Sequence, residues 1–568
     1  MQTKQETWRQ ALVSYQPGGG LLSSPVWSDG EFIARLDNIG GQARRFPSWL
    51  LFDGMVAAPD TPIYGEGFQM LAQSGGVWGT PEAIGRCPDA SVYRITADEQ
   101  YHTVHNLLLY RQEDQWCLLG FTSCQRFGGE FRLFPSGRLQ ILMNSEGLCL
   151  GAGQHWLSES LVVLCGPQRE TLLEDYAARI ARHHPPLATQ SRATGWCSWY
   201  HYYAEVTRQD IVENLQQMAA HFPHFQFVQI DDGYQRAMGD WLVPAEQFTG
   251  GLSSLVATIH EAGFEPALWV APFIAEPGSQ LFRDHPNWFV KNEQGEPLPA
   301  EKVTYGGWRC TPWYVLDGTH PQVQTHLRQL FHTLRHEYGI RYFKLDANFW
   351  GAIHGGRFSN PQATRVEAYR QGMAAIYEGA GADSFLLGCN APFWPSLGLV
   401  HGMRVADDVE RSGHRIRQIA REIFCRSWQA DHLWQLDPDC LCLRNIPGQE
   451  ASTAEYSFHA AALVACGGML LLGDRLLDLN DEQRGLIDKL YSLAAAKVPA
   501  AHFADDHFEE GKIPWNDGTL HCFFNWQPEP RTILLPSGCR DFWLDTRLPT
   551  APITLAGYAG LVVWSPEA

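Results

Sequence analysis

The chain has 568 residues, 45% hydrophobic and 18% charged, which excludes wholesale disorder and asks for more than one core. Forty-three Lys and Arg against 62 Asp and Glu leave a formal net charge of -19, so phosphate backbones and anionic lipid are repelled, and neither nucleic acid nor a membrane is an expected partner. The N-terminal sequence has no secretory pattern, the longest uncharged run (457–473) is too broken to span a bilayer, and 14 irregularly spaced cysteines point to reduced thiols, so a cytoplasmic protein without a metal is expected.

The elements fall into three regions. Up to Pro167, short alternating runs such as 31–36, 106–110, 115–121 and 137–143 are separated by breaks at Gly18–Gly20 and Gly128–Gly129. Period two at this density predicts an antiparallel β-sandwich over residues 1–167. A helical stretch, 168–184, stops at Pro185-Pro186, and residues 168–190 are expected as a linker with His183-His184 on its surface.

Over residues 191–494 the period changes. Apolar runs at 195–200, 225–232, 264–271, 342–346, 385–389, 402–408, 440–443 and 469–474 alternate with helical stretches. Thr207 with Asp210 looks like a capping box, followed by Ile211, Leu215, Met218 and Phe222 on one face. Eight such units predict a (β/α)8 TIM barrel, so the fold class is α/β with flanking β regions. The long Trp-rich connection 272–319 is expected to be an active-site loop. Alternation returns at 519–525, 531–535, 541–544 and 559–564, predicting a small antiparallel β domain over 495–568.

In such a barrel the functional groups lie at the C-terminal ends of the strands. Asp231-Asp232, Lys344 with Asp346, and Arg404 with Asp407-Asp408 close three of the candidate strands. One acid at a strand end often only caps the next helix. Three charged strand ends aimed at one mouth carry a desolvation cost that points to use. Lys344 and Asp346 are two apart on a strand and share a side, so the cation is expected to lower the pKa of Asp346, as a carboxylate nucleophile requires. A proton donor across the mouth completes the pair that hydrolyses glycosides with retention. The Asp231-Asp232 doublet offers acceptors to vicinal hydroxyls, and Trp196, Trp199, Trp241, Trp269, Trp308 and Trp313 are expected as apolar faces around the same end. Asp437-Pro-Asp439 is expected only to cap a loop.

Gly195-Trp-Cys-Ser-Trp-Tyr-His201, Ile230-Asp-Asp-Gly-Tyr234, Gly239-Asp-Trp241, Leu268-Trp-Val-Ala-Pro-Phe273, Phe343-Lys-Leu-Asp346 and Gly402-Met-Arg-Val-Ala-Asp-Asp408, in this order, resemble glycoside hydrolase family 36, the melibiase-type α-galactosidases. The resemblance implies a retaining hydrolase acting on terminal α-galactose, with Asp346 as nucleophile and Asp408 as acid/base. It also implies that Asp231 and Asp232 hold the 4- and 6-hydroxyls, that Lys344 and Arg404 bind ring hydroxyls, that Cys389 lies near the 2-position, and that Trp199, Tyr200 and Trp269 shape the subsite. A small carbohydrate is the implied partner and no cofactor is implied; homo-oligomerisation is left open. Three departures surround the 2-hydroxyl and the leaving group: Gly67-Phe-Gln-Met-Leu71 has no Trp, Val409-Glu-Arg411 replaces a Thr followed by aromatics, and Asn390 replaces a frequent Gly. The alternatives are an α-N-acetylgalactosaminidase or other α-glycosidase, a raffinose-synthase-like transglycosylase, and a non-catalytic sugar binder.

Overall fold

The computed structural model describes residues 7–8, 10–12, 21–96, 98–549 and 551–566; the Gly18–Gly20 break lies outside them. Residues 21–166 form a nine-stranded and a four-stranded antiparallel sheet. The alternation dictates how they pack: Phe32, Leu36, Leu119 and Val163 of the larger sheet meet Leu51, Phe131 and Ile141 of the smaller in one core. The strand Gln115–Phe121 coincides with the predicted run. The helix Arg169–His183 follows. His184 is buried rather than on the surface, because its Nε2 accepts the Cys124 N–H at 2.9 Å.

Eight parallel strands come next: β1 (Thr194–Cys197), β2 (Phe227–Ile230), β3 (Glu265–Val270), β4 (Tyr342–Leu345), β5 (Phe385–Gly388), β6 (Gly402–Arg404), β7 (Gln435–Asp437) and β8 (Leu470–Leu472). Each pairs with its sequence neighbour from β1 to β7, and β8 pairs with β1. Between β7 and β8 the ring is bridged by single bonds: Met469 N–H reaches Leu436 O and Leu441 N–H reaches Leu471 O, both at 2.8 Å. The barrel is therefore nearly closed.

The helices around it are α1 (Arg208–His221), α2 (Gly251–Glu261), α3 (Pro321–His332), α4 (Arg365–Ala380), α5 (Gly413–Cys425), α6 (Thr453–Cys466) and α7 (Asp481–Ala495). The Thr207–Asp210 capping box opens α1, whose Ile211, Leu215 and Met218 are buried with Phe222 beyond its end. Two expectations are corrected. Strand seven is Gln435–Asp437, not 440–443: Pro438 offers no N–H to a ladder and Asp439 sits at φ +75, so pairing stops before the Cys-Leu-Cys-Leu run, which retains one bridge through Leu441. Between β5 and β6 there is only a 3-10 turn, Trp394–Ser396, where Pro392 and Pro395 preclude an α-helix.

Beyond α7, strands His502–Phe503, Glu510–Trp515, Gly518–Phe524, Gly560–Pro566 and Arg540–Asp541 make one antiparallel sheet, and Arg531–Ile533 pairs with Ile553–Leu555. Among the described residues, no helix is long and apolar enough to cross a membrane.

Candidate active site

At the C-terminal end of the barrel lies a cavity of about 500 Å³. Asp231, Asp232, Lys344, Asp346, Arg404, Asp408, Cys389, Trp199 and Trp269 all line it. Tyr200 stands behind the wall, buried, with its hydroxyl donating to Asp408 Oδ1 at 3.2 Å. Trp308 also faces the cavity, whereas Trp196, Trp241 and Trp313 are buried in the core and do not. Large rings in a barrel this size fill the interior first.

Asp346 follows β4. Its backbone N–H donates to Val270 O at 2.9 Å; its carboxylate accepts Trp269 Nε1–H at 3.0 Å and the Ala347 N–H at 2.6 Å. Burial pushes its pKa up, and the Asp408 charge adds to this, outweighing Lys344 and the Trp269 bond. The expected net lowering by Lys344 is thus corrected. The ammonium is spent elsewhere: Lys344 Nζ lies 3.0 Å from Asp231 Oδ2, and that carboxylate, against the cost of burial, holds it protonated.

Asp231 Oδ2 also accepts Gln229 Nε2–H at 2.7 Å, while Oδ1 accepts the Asp232 N–H at 2.9 Å. Asp232 is clamped from the long loop by Arg309, whose Nε donates to Oδ2 at 2.7 Å and whose second nitrogen donates to Oδ1. Gln235 Nε2 reaches the same Oδ1 at 2.6 Å. Bidentate arginine fixes the carboxylate plane.

On the opposite side, Asp408 turns a side chain 53% exposed toward the cavity. Arg404 fans out over three acids, donating to Asp408 Oδ1 at 3.0 Å, Asp437 Oδ2 at 3.1 Å and Asp439 Oδ1 at 2.8 Å. Burial works to raise the pKa of Asp408, but Arg404 and then Lys344 outweigh it and hold it low. Asp439 goes the other way: burial and the neighbouring acids push it up to about 6 despite Arg404. Tyr200 Oη bonds both Asp408 and Asp439. Cys389 stays a neutral thiol, raised by burial and by the Asp346 charge.

The N-terminal region supplies the rest of the wall. Residues 68–70 lie against 391–393 as an added strand, with Met70 N–H on Ala391 O at 2.9 Å and Phe393 N–H on Phe68 O at 2.7 Å. Met70 and Leu71 therefore line the cavity where a tryptophan was missed in the sequence, together with Arg86 and Tyr93. Arg86 Nε donates to Asp407 Oδ2 at 2.7 Å and its NH1 to Glu410 at 3.0 Å, and Asp407 Oδ1 in turn accepts the Asp408 N–H at 2.7 Å.

Sequence reasoning missed Asp437 and Asp439 as Arg404 partners, Arg309 as the clamp on Asp232, and Arg86. The usable signals were two acids flanking a proline beside an expected strand and an arginine inside a loop already marked as functional. Among the described residues, no group of three or more His, Cys, Asp or Glu could hold a metal.

Residues 173–380 match the family model described as Melibiase. The chain is 31% identical over 215 residues to the α-galactosidase AgaA of Geobacillus stearothermophilus, which is 37% of this chain and 27% of that protein. It is 28% identical over 165 residues to an α-galactosidase of Escherichia coli, 28% of this chain and 22% of that one. The matched stretch thus spans about a quarter of these relatives. The structure of TtGalA, an α-galactosidase from Thermus thermophilus in complex with p-nitrophenyl α-D-galactopyranoside, superposes with a TM-score of 0.65 at 23% identity, covering 86% of this chain and 97% of that one.

Proposed function

We propose that this chain, a relative of the melibiase-type enzymes of glycoside hydrolase family 36, is a retaining α-galactosidase that hydrolyses terminal α-linked galactose by double displacement. One observation carries the reading: two carboxylates from different strands, Asp346 and Asp408, open into one cavity, each held by its own donors and each near enough for the Asp408 charge to act on Asp346.

In the first step a carboxylate oxygen of Asp346 attacks the anomeric carbon as the glycosidic C–O bond breaks, and Asp408 gives its proton to the departing oxygen. In the second, Asp408 takes a proton from water, the water oxygen attacks the same carbon from the opposite side, and Asp346 leaves. Two inversions give retention. Trp269 and the Ala347 N–H orient the Asp346 carboxylate so that one lone pair faces the sugar. Lys344, with one of its three N–H bonds spent on Asp231, keeps donors for ring hydroxyls, and the Asp231-Asp232 pair, pre-set by Gln229 and Arg309, offers acceptors. Cys389, neutral, and the Trp199 and Trp269 faces complete the subsite. Within this reading residues 191–494 are the catalytic unit, residues 1–167 supply one wall, and residues 495–568 pack outside. A cytoplasmic setting is part of the proposal, supported by all 14 cysteines standing outside any disulfide.

Replacing Asp346 by Gly is expected to abolish turnover of a nitrophenyl α-galactoside, and added azide to restore it with β-galactosyl azide as product. Unchanged activity in D346G would overturn the mechanism.

A further inference from the structure

Cys117 stands in the strand Gln115–Phe121 and Cys165 in the strand Leu161–Gly166 of the nine-stranded sheet, where the register sets them directly opposite each other. Their sulfurs lie 3.2 Å apart. The register also decides what kind of pair they form. Thr122 N–H donates to Ser160 O at 2.8 Å just past the end of the ladder, so 122 and 160 are a hydrogen-bonded pair. Antiparallel pairs alternate, and counting back makes 121/161, 119/163 and 117/165 the non-hydrogen-bonded ones. Such pairs bring the Cα atoms to about 4.5 Å, inside the roughly 4.4–6.8 Å that a disulfide spans. Both side chains leave the same face of the sheet, toward the core between the two N-terminal sheets.

Neither cysteine is in a disulfide, and the two differ in access. Cys117 is buried, whereas Cys165, next to the end of its strand, is only partly so. One thiol is thus open to a reagent and the second sits directly beside it, as an attacking and a resolving thiol must. Cys197 and Cys440 also touch, beneath the cavity, but both are buried and neither can begin such an exchange.

We propose that Cys117 and Cys165 are a modification site, closing to an intramolecular disulfide by exchange with a low-molecular-weight disulfide of the glutathione type and reopening in excess thiol. In the first exchange Cys165 gives up its proton and its sulfur attacks one sulfur of the reagent. The reagent's S–S bond breaks and one half leaves as a thiol. In the second, Cys117 gives up its proton and attacks the Cys165 sulfur, the mixed disulfide breaks, and the other half leaves as a thiol. Two protein thiols are oxidised and one reagent disulfide is reduced to two thiols. The sulfurs must approach by about 1.1 Å to reach a bond of about 2.05 Å, a distance that rotation about the two Cα–Cβ bonds covers. The loop closed by the bridge holds Gly128–Leu133 and Arg138–Asn144, the two inner strands of the smaller sheet. The bridge therefore restrains the unfolded chain across both sheets at once. Neither cysteine lines the cavity, so the site acts on the endurance of the N-terminal region and stands apart from the α-galactosidase reading.

The test incubates the full chain with oxidised glutathione, or with dithiothreitol as control, then alkylates, digests and maps the peptides by mass. The oxidised sample should yield a linked peptide pair carrying Cys117 and Cys165 and two fewer alkylatable thiols out of 14. Its melting midpoint should rise by at least about 4 °C, and dithiothreitol should reverse all three changes. In Cys165→Ser the same incubation should leave Cys117 fully alkylatable after denaturation, because no reagent reaches it without its neighbour. A glutathione adduct held on Cys165 without the bridge, a bridge between other cysteines, or a bridge that leaves the midpoint in place would each overturn the inference. So would a glutathione adduct on Cys117 in C165S.

Discussion

The two β regions dock on the barrel in opposite ways. The N-terminal one approaches the mouth and is tied down by charge: Arg426 of the barrel pairs with Glu66 at 2.6 Å, both fully buried, and also donates to Met70 O and to Val405 O at 2.8 Å. Arg365 lies 3.7 Å from Glu146, and Arg86 reaches Asp407. The C-terminal region docks on α5 and α6 through rings: Phe424 packs on Phe503 and Phe524 with centroids 4.6 and 5.0 Å apart, and Phe458 on Phe524 and Trp526 at 5.0 and 4.9 Å. Among the described residues it contributes none to the cavity. Ion pairs fix direction and register, and rings supply area with little directional demand. The difference teaches that the first interface positions a site and the second stabilises a fold.

The largest expected effect tests the apolar side. Phe524→Ala removes a fully buried ring and should lower stability by about 3–5 kcal/mol, read as a fall in denaturant midpoint, with kcat/KM of the remaining folded enzyme unchanged within about twofold. A large loss of kcat/KM at full folding would erase the contrast. Next is Glu66→Gln, which leaves the Arg426 guanidinium buried without its counter-charge and should cost about 3 kcal/mol. Here kcat/KM should also drop, about tenfold, because the same arginine holds the Met70 carbonyl and the Asp408-bearing segment at Val405. Stability loss without activity loss would assign this pair to the fold alone.

How much of this was legible follows the same division. Strand periodicity and the Thr207–Asp210 box were local signals, so β1 to β6, β8 and α1 could be read from neighbours in sequence. Asp346, Asp408 and the doublet were legible because strand ends in a barrel share one mouth. Arg309 on Asp232, 77 residues away, and Arg86 on Asp407, 321 residues away, were not, because no periodicity encodes which loop tip folds over which strand end. Strand seven was misplaced because Cys440-Leu-Cys-Leu443 has the better apolar pattern, while the ladder is decided by Pro438 and the positive φ of Asp439. The net direction of the Asp346 pKa also required three dimensions: Lys344 is two residues away, but its partner Asp231 sits on β2's end.

A smaller effect should appear at Asp439, which couples the barrel's own acids. In the proposed reaction Asp408 must carry a proton to act as acid, so kcat/KM falls as pH rises through its pKa. The Asp408 charge helps to push Asp439 up while Arg404 and Lys344 hold Asp408 low, and Asp439 also absorbs part of the Arg404 charge. Asp439→Asn removes the repulsion and leaves Arg404 more strongly committed to Asp408. Both changes lower the Asp408 pKa, so the alkaline limb of kcat/KM should move to lower pH by about one unit. A limb that stays in place or moves upward would sever Asp439 from the acid.

The smallest effect belongs to Arg86, a charged tie that solvent reaches, with its side chain 51% exposed. Water screens it, so Arg86→Ala should cost no more than about 1 kcal/mol of stability. Its geometric role is larger than its energy: it holds Asp407, and Asp407 accepts the backbone N–H of Asp408. Asp407 keeps Arg415 at 3.1 Å as a second partner, so its carboxylate remains paired but free to turn. The expected result is a few-fold fall in kcat with an unchanged melting temperature, and partial recovery in Arg86→Lys, which restores charge without the fork. If the melting temperature falls while kcat holds, Arg86 belongs with the rings on the other side of the barrel, and the division between a positioning interface and a stabilising one fails at the residue nearest the chemistry.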